Sequence, residues 1–206
     1  MAVTKLSNSG IKTGVLKYDS MLAGNPAFDP AATWLIQRVT AAGGETSISF
    51  TSIPSTYQHL QIRYIARNQS TSSAFSSTPL LTFNNDSGTN YVGHYLWGDG
   101  SSASAGSNGT STNNISLNST SLRDTSASGI FGACIVDIYD YKSTTKNKTV
   151  RAFGGVDTNT AATSWRVSLI SGLWMSTSAI TSIEIAPGVS TWKAGSTIAL
   201  YGIKGV

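Results

Sequence analysis

The sequence predicts an all-β protein: an antiparallel two-sheet β-sandwich of jelly-roll-like type at residues 31–206, preceded by an extended N-terminal arm at residues 1–30. From Trp34 onward, apolar and polar residues alternate with a period of two, which is typical of half-buried antiparallel strands. Turn-forming residues interrupt this alternation, most clearly at 84–88 and 186–188. No long stretch has the 3.6-residue period of a helix, so we expect about ten short strands.

The strands follow from the alternating stretches, taken in chain order. We predict them at 33–40, 46–52, 57–67, 80–84, 91–97, 130–140, 147–154, 164–174, 179–186 and 197–203. The loop 41–45 is short and contains glycine, so the first two strands are expected to form a hairpin. Within 57–67, Leu60, Ile62 and Tyr64 share the predicted core face. The opposite face carries His59, Gln61, Arg63, Ile65 and Arg67.

Two stretches break the alternation, at 68–78 and 98–128. Ser, Gly, Asn and Thr dominate both stretches, and these residues favour turns over packed strands. The second stretch exceeds the ~12 to 15 residues beyond which a loop is usually functional or flexible. We therefore predict two surface loops, facing either solvent or a neighbouring copy.

The first 30 residues have neither a helical nor a strand period, yet they contain widely spaced apolar side chains. These are Leu6, Ile11, Val15, Tyr18, Met21, Leu22 and Phe28. A segment of this kind cannot bury enough of its own surface to offset the entropy of ordering its backbone, roughly 1 to 2 kcal/mol per residue. We therefore expect the segment to gain order only by lying against another molecule.

The amino-acid composition of the chain limits the kinds of partner that it is expected to bind. Only 12% of the 206 residues are charged, and the net charge of +4 comes from 14 Lys and Arg spread along the chain. Binding to nucleic acid usually needs clustered basic residues, so no nucleic acid partner is expected. The single cysteine, Cys134, lies in an apolar run and is predicted to be buried. The sequence shows no signal peptide and no run of 18 apolar residues, so we expect a soluble protein, without membrane contact, synthesised in a cytoplasm.

Residues that could carry out chemistry are few and scattered. The histidines are His59 and His94, and neither lies in a metal-binding spacing. Asp137 and Asp140 lie near one strand end but on opposite faces, which does not suit a pair of glycosidase carboxylates. The turn 84–90 resembles a calcium loop only faintly, since it lacks the alternating oxygen ligands and the final Glu. We therefore predict no enzyme, no catalytic residue, no metal and no cofactor.

The aromatic residues allow one further hypothesis about function. Exposed Trp and Tyr on a β-sandwich can stack against sugar rings, although filling a core or a subunit contact is the commoner use. Trp192 lies in the turn-like sequence VSTWKAGS and is the best candidate for exposure. Trp192 and Trp97 are accordingly the candidate glycan contacts if the protein binds sugars.

Three stretches together resemble a group of β-sandwich virion proteins of tailed phages, particularly cyanobacterial phages, that occur on capsids and in tail fibres. They are NSGIKTGVLKYDSMLAGNPAF, WLIQRVTAAGGETSISFTSIPSTYQHLQIRYIAR and LISGLWMSTSAITSIEIAPGVSTWKAGSTIALYGIKGV. Within that group, the chain is most similar to capsid cement, or decoration, proteins. The resemblance implies a homotrimer on the outer surface of the capsid, with arms between neighbouring major capsid subunits. The seven apolar arm residues would then be anchors, and Lys5, Lys12 and Lys17 would face carboxylates of the shell.

The leading hypothesis is thus a non-enzymatic capsid cement protein whose partners are the major capsid protein and other copies of itself. The alternative is a tail-fibre or receptor-binding module that recognises host surface glycans through exposed Trp and the Ser/Asn-rich loops. A carbohydrate-binding module of a secreted enzyme is a third, weaker hypothesis, since the arm and the lack of a signal peptide both disfavour it.

Overall fold

The computed structural model describes residues 33–72, 76–109, 111–126, 128–158 and 165–205, and this part of the chain is all-β. The chain divides into the units Met1–Ala32 and Thr33–Val206, and every described residue belongs to the second. The predicted arm at 1–30, with its ten candidate capsid contacts, lies outside the described residues. The described residues therefore all belong to the predicted body.

The described residues form fourteen strands in antiparallel sheets of eight, four and two strands. The strands are β1 Thr33–Thr40, β2 Ile48–Phe50, β3 His59–Ala66, β4 Ser76–Ser77, β5 Leu80–Phe83, β6 Tyr91–Gly98, β7 Ala103–Ser107, β8 Ile115–Ser116, β9 Ser121–Leu122, β10 Gly132–Ile138, β11 Lys148–Asp157, β12 Trp165–Trp174, β13 Ile183–Ala186 and β14 Thr197–Ile203. All ten predicted strands are present, and the predicted all-β sandwich is confirmed.

The large sheet has the order β1-β14-β3-β10-β11-β12-β6-β7, and the small sheet has the order β2-β13-β5-β8. Most of the longer strands in both sheets alternate buried with more exposed residues, as the pattern in β11 shows most regularly, whereas β1 and β7 do not. The buried side chains of the two sheets form one core cluster. It includes Leu60, Val136 and Ile170 from the large sheet, and Phe50, Phe83 and Ile185 from the small sheet. The two sheets are therefore the layers of a sandwich with one shared core.

The predicted hairpin between the first two strands is wrong. The strand β1 pairs with β14 in the large sheet, whereas β2 pairs with β13 in the small sheet. The connecting loop bonds to a different part of the chain, because Ala41 N–H donates to Ser196 O and Gly44 N–H donates to Trp192 O. The Glu45 carboxylate accepts hydrogen bonds from the N–H groups of Ala42 and Gly43. The loop therefore carries the chain from one sheet to the other.

The predicted loops 68–78 and 98–128 contain four short strands that the sequence does not indicate: β4, β7, β8 and β9. The strand β7 has the sequence ASAGS, without a β-branched or aromatic residue, and extends the large sheet by pairing with β6. Gly106 of β7 lies against Tyr95, so close that a Cβ atom would be 2.5 Å from the Tyr95 hydroxyl. Pairing with a neighbouring strand, rather than local propensity, thus defines these elements.

Candidate assembly surface

The outer face of the large sheet, meaning the side chains that point away from the shared core, is unusually apolar. In the strand register, Ile135, Phe153, Leu169 and Leu96 lie directly opposite one another across β10, β11, β12 and β6. We call these four residues the apolar row. The next row along the strands, the small row, contains Ile65, Ala133, Gly155, Val167, Gly98 and Ala103.

The large side chains of both rows are about half exposed. The exposed fractions are 59% for Phe153, 56% for Ile65, 55% for Leu96, 50% for Leu169, 49% for Val167 and 43% for Ile135. An aromatic side chain of about 200 Å² sets the scale, so these six residues leave on the order of 600 Å² of apolar surface in contact with water. A typical monomer has a largest apolar patch of roughly 300 to 600 Å², and patches of this size often mark an interaction site.

The outer face contains two hollows. The first has a volume of about 750 Å³, and its lining includes Ala133, Gly155 and Gly195. The second has a volume of about 530 Å³, and its lining includes Gly98, Ala103 and Ala105. Phe153 and Val167 line both hollows. Residues with little or no side chain thus form depressions on either side of a ridge of large apolar side chains.

A polar row borders the apolar row on its other side. It contains Tyr201, Gln61, Asp137, Arg151, Ser171 and His94 in register across the sheet. Gln61 Nε2 donates to Asp137 Oδ1 at 2.6 Å, and Arg63 Nε donates to Gln61 Oε1 at 2.7 Å. The Arg63 guanidinium also lies 4.9 Å from the centre of the Tyr201 ring. The charged groups are therefore at the edge of the apolar surface and are held by neighbours in the same face.

A different, polar depression of about 470 Å³ lies elsewhere on the body. Its lining comprises Ser76, Ser77, Thr78, Leu80, Ser119, Arg123, Arg166, Gly188 and Val189. Arg123 Nε donates to the Ser76 carbonyl oxygen at 2.7 Å, and a terminal nitrogen of Arg166 donates to Ser119 Oγ at 2.9 Å. This depression presents guanidinium and hydroxyl groups, which are the groups that bind sugars and anions.

The two candidate glycan contacts occupy different environments. The prediction that Trp192 is exposed is wrong: its side chain is fully buried, and its indole N–H donates to the Ile185 carbonyl oxygen at 3.3 Å. The turn-like sequence around Trp192 packs inward because β13 and the loop 41–45 both bond to it. Trp97 is half-buried, and the Arg166 guanidinium covers its ring at 4.1 Å. Only Trp97 therefore remains a candidate glycan contact.

Three residues with potentially reactive side chains are buried or hydrogen-bonded to other parts of the protein. Cys134 is buried as predicted, and burial raises the pKa of its thiol to about 12. His59 accepts a hydrogen bond from the Asp140 N–H at 3.0 Å. Lys148 is fully buried, and its ammonium group donates to the carbonyl oxygens of Lys146, Ser176 and Thr177. Burial lowers the pKa of Lys148.

The turn that faintly resembles a calcium loop is held by hydrogen bonds from the protein itself. The Asp86 carboxylate accepts from Trp174 Nε1 at 2.7 Å, from Asn90 Nδ2 at 3.0 Å and from the Gly88 N–H at 2.9 Å. These bonds, led by that of Trp174, hold the pKa of Asp86 below its ordinary value. The carboxylate thus fastens the β5–β6 turn to β12 and so links the two sheets.

Neither a metal-type cluster nor a membrane-spanning helix is found among the described residues. No three His, Cys, Asp or Glu side chains within this part of the chain come together as a metal site would require. In the same residues, no helix has the length and apolar character needed to cross a membrane. Compared with known proteins, the chain matches no family model and no curated sequence.

Sequence reasoning missed the outer face as a surface, although a signal for it was present. A solvated antiparallel sheet has polar residues at outward positions, and Ile65 already departed from this rule on the predicted outer side of 57–67. The same departure occurs at Phe153, Val167 and Leu169. Recognising them as one patch requires the order β3-β10-β11-β12-β6, which the local pattern does not contain.

Proposed function

We propose that the chain is a non-enzymatic structural protein of a phage virion: a capsid cement protein that stabilises the mature head by binding between major capsid subunits through residues 1–30. The observation that carries this proposal is the apolar outer face of the large sheet. A patch on the order of 600 Å² is at the upper end of the largest apolar patch of a typical monomer, and patches of this size often mark an interaction site, which suits a component of an assembly. The proposed location is the outer surface of the capsid, after synthesis in the host cytoplasm.

The character of the body supports a passive role. Asp86, His59 and Cys134 are held in structural contacts or buried, so they contribute to the fold. The weakly charged surface of the chain suits packing among many copies, since a net charge of +4 on 206 residues produces little repulsion. A homotrimer bound at several points would add the small contributions of each arm into a strong attachment.

Binding to shells of the cognate major capsid protein tests the role of the arm. The variant Leu6→Asp/Ile11→Asp replaces two proposed anchors, and Ser7→Asp/Ser9→Asp adds the same charge at polar positions of the same segment. Cosedimentation should show full occupancy for the unmodified chain and for the serine control, with occupancy reduced at least tenfold for the anchor variant. Equal occupancy for both variants, or no binding by the unmodified chain, would contradict a capsid cement.

A second candidate function is a tail-fibre or receptor-binding module that recognises host glycans. The depression with Arg123 and Arg166 favours it, because guanidinium and hydroxyl groups surround a concave space near Trp97. A glycan array with the unmodified chain and Arg123→Ala distinguishes the two functions. Selective binding that Arg123→Ala abolishes would support the receptor-binding module, whereas uniform absence of binding is expected for a cement protein.

A further inference from the structure

We propose that the outer face of the large sheet is the surface through which copies of this chain associate. The apolar row and the small row form the centre of this interface, and the polar row and Arg63 form its rim. The contact joins the same face of two copies about a two-fold axis, so the trimer of the proposed function would need a further contact. The assignment of the surface rests on the geometry of the sheet alone.

The exposed apolar area of the outer face is comparable to the area that one partner contributes to a standard protein interface. A standard interface takes about 800 Å² from each partner. The six large side chains of the two rows leave on the order of 600 Å² exposed, and Ala103, Ala105 and Ala133 add to this area. The centre alone thus provides most of what one partner contributes to a stable contact.

The relief of the face suits contact with another copy of itself. A two-fold interface, in which the same face of both copies meets, requires that this one surface carry both the projections and the spaces that receive them. Here Phe153 and Val167 lie between the two hollows and line both, and the linings also include Gly155 and Ala133 on one side and Gly98 and Ala105 on the other. A neighbouring copy therefore offers the same ridge to fill these hollows.

The distribution of charge favours a second copy over a charged partner. Contact of the same face about a two-fold axis brings the charges near that axis close to their own duplicates, and like charges face to face are costly. Neither the apolar row nor the small row contains an ionisable side chain, although Arg63 lies directly opposite Ile135 and, with Arg38, lines the first hollow. Asp137 and Arg151, which have opposite signs, are neighbours in the bordering row. Two copies can thus meet along the apolar row, with Arg38, Arg63 and the charges of the bordering row in a mixed, hydrated rim.

Analytical ultracentrifugation of the full chain at micromolar concentration tests the assignment. The variant Phe153→Lys/Leu169→Lys places two positive charges in the apolar row. The control Ser49→Lys/Thr82→Lys makes the same change at outward positions of the small sheet, beside Glu184. We expect an oligomer for the unmodified chain and the control, and association at least 100-fold weaker for the variant in the apolar row. A monomeric unmodified chain, or unchanged association of that variant, would overturn the assignment.

A second measurement applies if Phe153→Lys/Leu169→Lys does not fold. A nitroxide label on Leu169→Cys reports the environment of the apolar row directly, and the buried Cys134, whose pKa is about 12, resists labelling. We expect immobilisation and dipolar broadening between copies, with neither effect for a label on Thr82→Cys. A mobile Leu169→Cys label overturns the assignment. An immobile label on a monomer does so as well, because another segment of the same chain would then cover the face.

An oligomer of two copies would retain the assigned surface but contradict the trimer of the proposed function. An oligomer that fails to bind capsid shells would likewise leave the surface intact and contradict the cement role. The two proposals can therefore fail separately.

Discussion

The two outer faces of the sandwich follow the same alternation but differ in the residues that point outward. On the small sheet, Ser49, Glu184 and Thr82 lie opposite one another, and Ser49 Oγ is 3.5 Å from the Glu184 carboxylate. On the large sheet, the corresponding positions across β11 and β12 are Phe153 and Leu169. The small sheet thus has the polar outer face of a solvated sheet, whereas the outer face of the large sheet is apolar along the apolar row and the small row and polar in the bordering row.

This difference separates the residues that determine the fold from those that determine what the fold contacts. The inward positions of both sheets are apolar and fill one core, so most of the strands in either sheet could be predicted from their alternation. The outward positions are free to vary without disturbing that core. Their composition is therefore the better indicator of function in a body of this kind.

The sharpest test of the comparison uses neighbouring residues on opposite faces of β12. Ile170 is 1% exposed and Leu169 is 50% exposed. In a Phe153→Lys background, where association should no longer add to stability, Ile170→Ala should lower the free energy of unfolding by about 2 to 5 kcal/mol. Leu169→Ala should lower it by less than about 1 kcal/mol. Urea denaturation monitored by tryptophan fluorescence measures both, and equal losses would mean that the outer face is part of the folding core.

A smaller loss of stability is expected when the hydrogen bond between Asp86 and Trp174, which links the two sheets, is weakened. Asp86→Asn removes the charge that accepts the Trp174 indole N–H, so the free energy of unfolding should fall by about 1 to 3 kcal/mol. The pKa of Asp86 is lowered in the fold, so its contribution is complete above the unfolded pKa of about 4 and is lost as the pH falls through the folded value.

Urea denaturation of the unmodified chain and of Asp86→Asn between pH 7 and pH 2 measures the contribution of the Asp86 charge to stability. Asp99, Asp124 and Asp140 also have lowered pKa values, so both proteins should lose stability in acid. The difference between them, however, should shrink below about pH 4 as Asp86 itself becomes protonated. A difference that stays constant with pH would show that the carboxylate charge does not stabilise the turn.

The sequence predicted the elements of the fold better than their arrangement. Alternation located ten of the fourteen strands because it records which side chains a strand buries. It did not predict that β1 and β2 lie in different sheets, because the loop 41–45 bonds to the distant residues Trp192 and Ser196. Trp192 was misjudged for the same reason, since only the tertiary contacts of its turn make it part of the core.

The candidate surface was harder to predict than the fold. Ile65 and Phe153 each stand alone as an outward apolar residue in their strands, β12 has Val167 and Leu169, and scattered exposed apolar residues are common in proteins. They form one surface only because β3, β10, β11 and β12 are neighbours in the large sheet. That adjacency depends on long-range pairing, which no local pattern encodes.

The substitution with the smallest expected effect on stability removes the contrast between the two outer faces. Thr82→Val/Glu184→Val makes the small sheet apolar outside without changing its core, and valine suits a strand. The free energy of unfolding should therefore change by less than about 0.5 kcal/mol, as measured by urea denaturation. Association, however, should increase, because the small sheet would now expose an apolar face of its own. If ultracentrifugation shows no new association, apolar character alone does not create an interface, and the hollows beside Phe153 become the decisive feature of the large sheet.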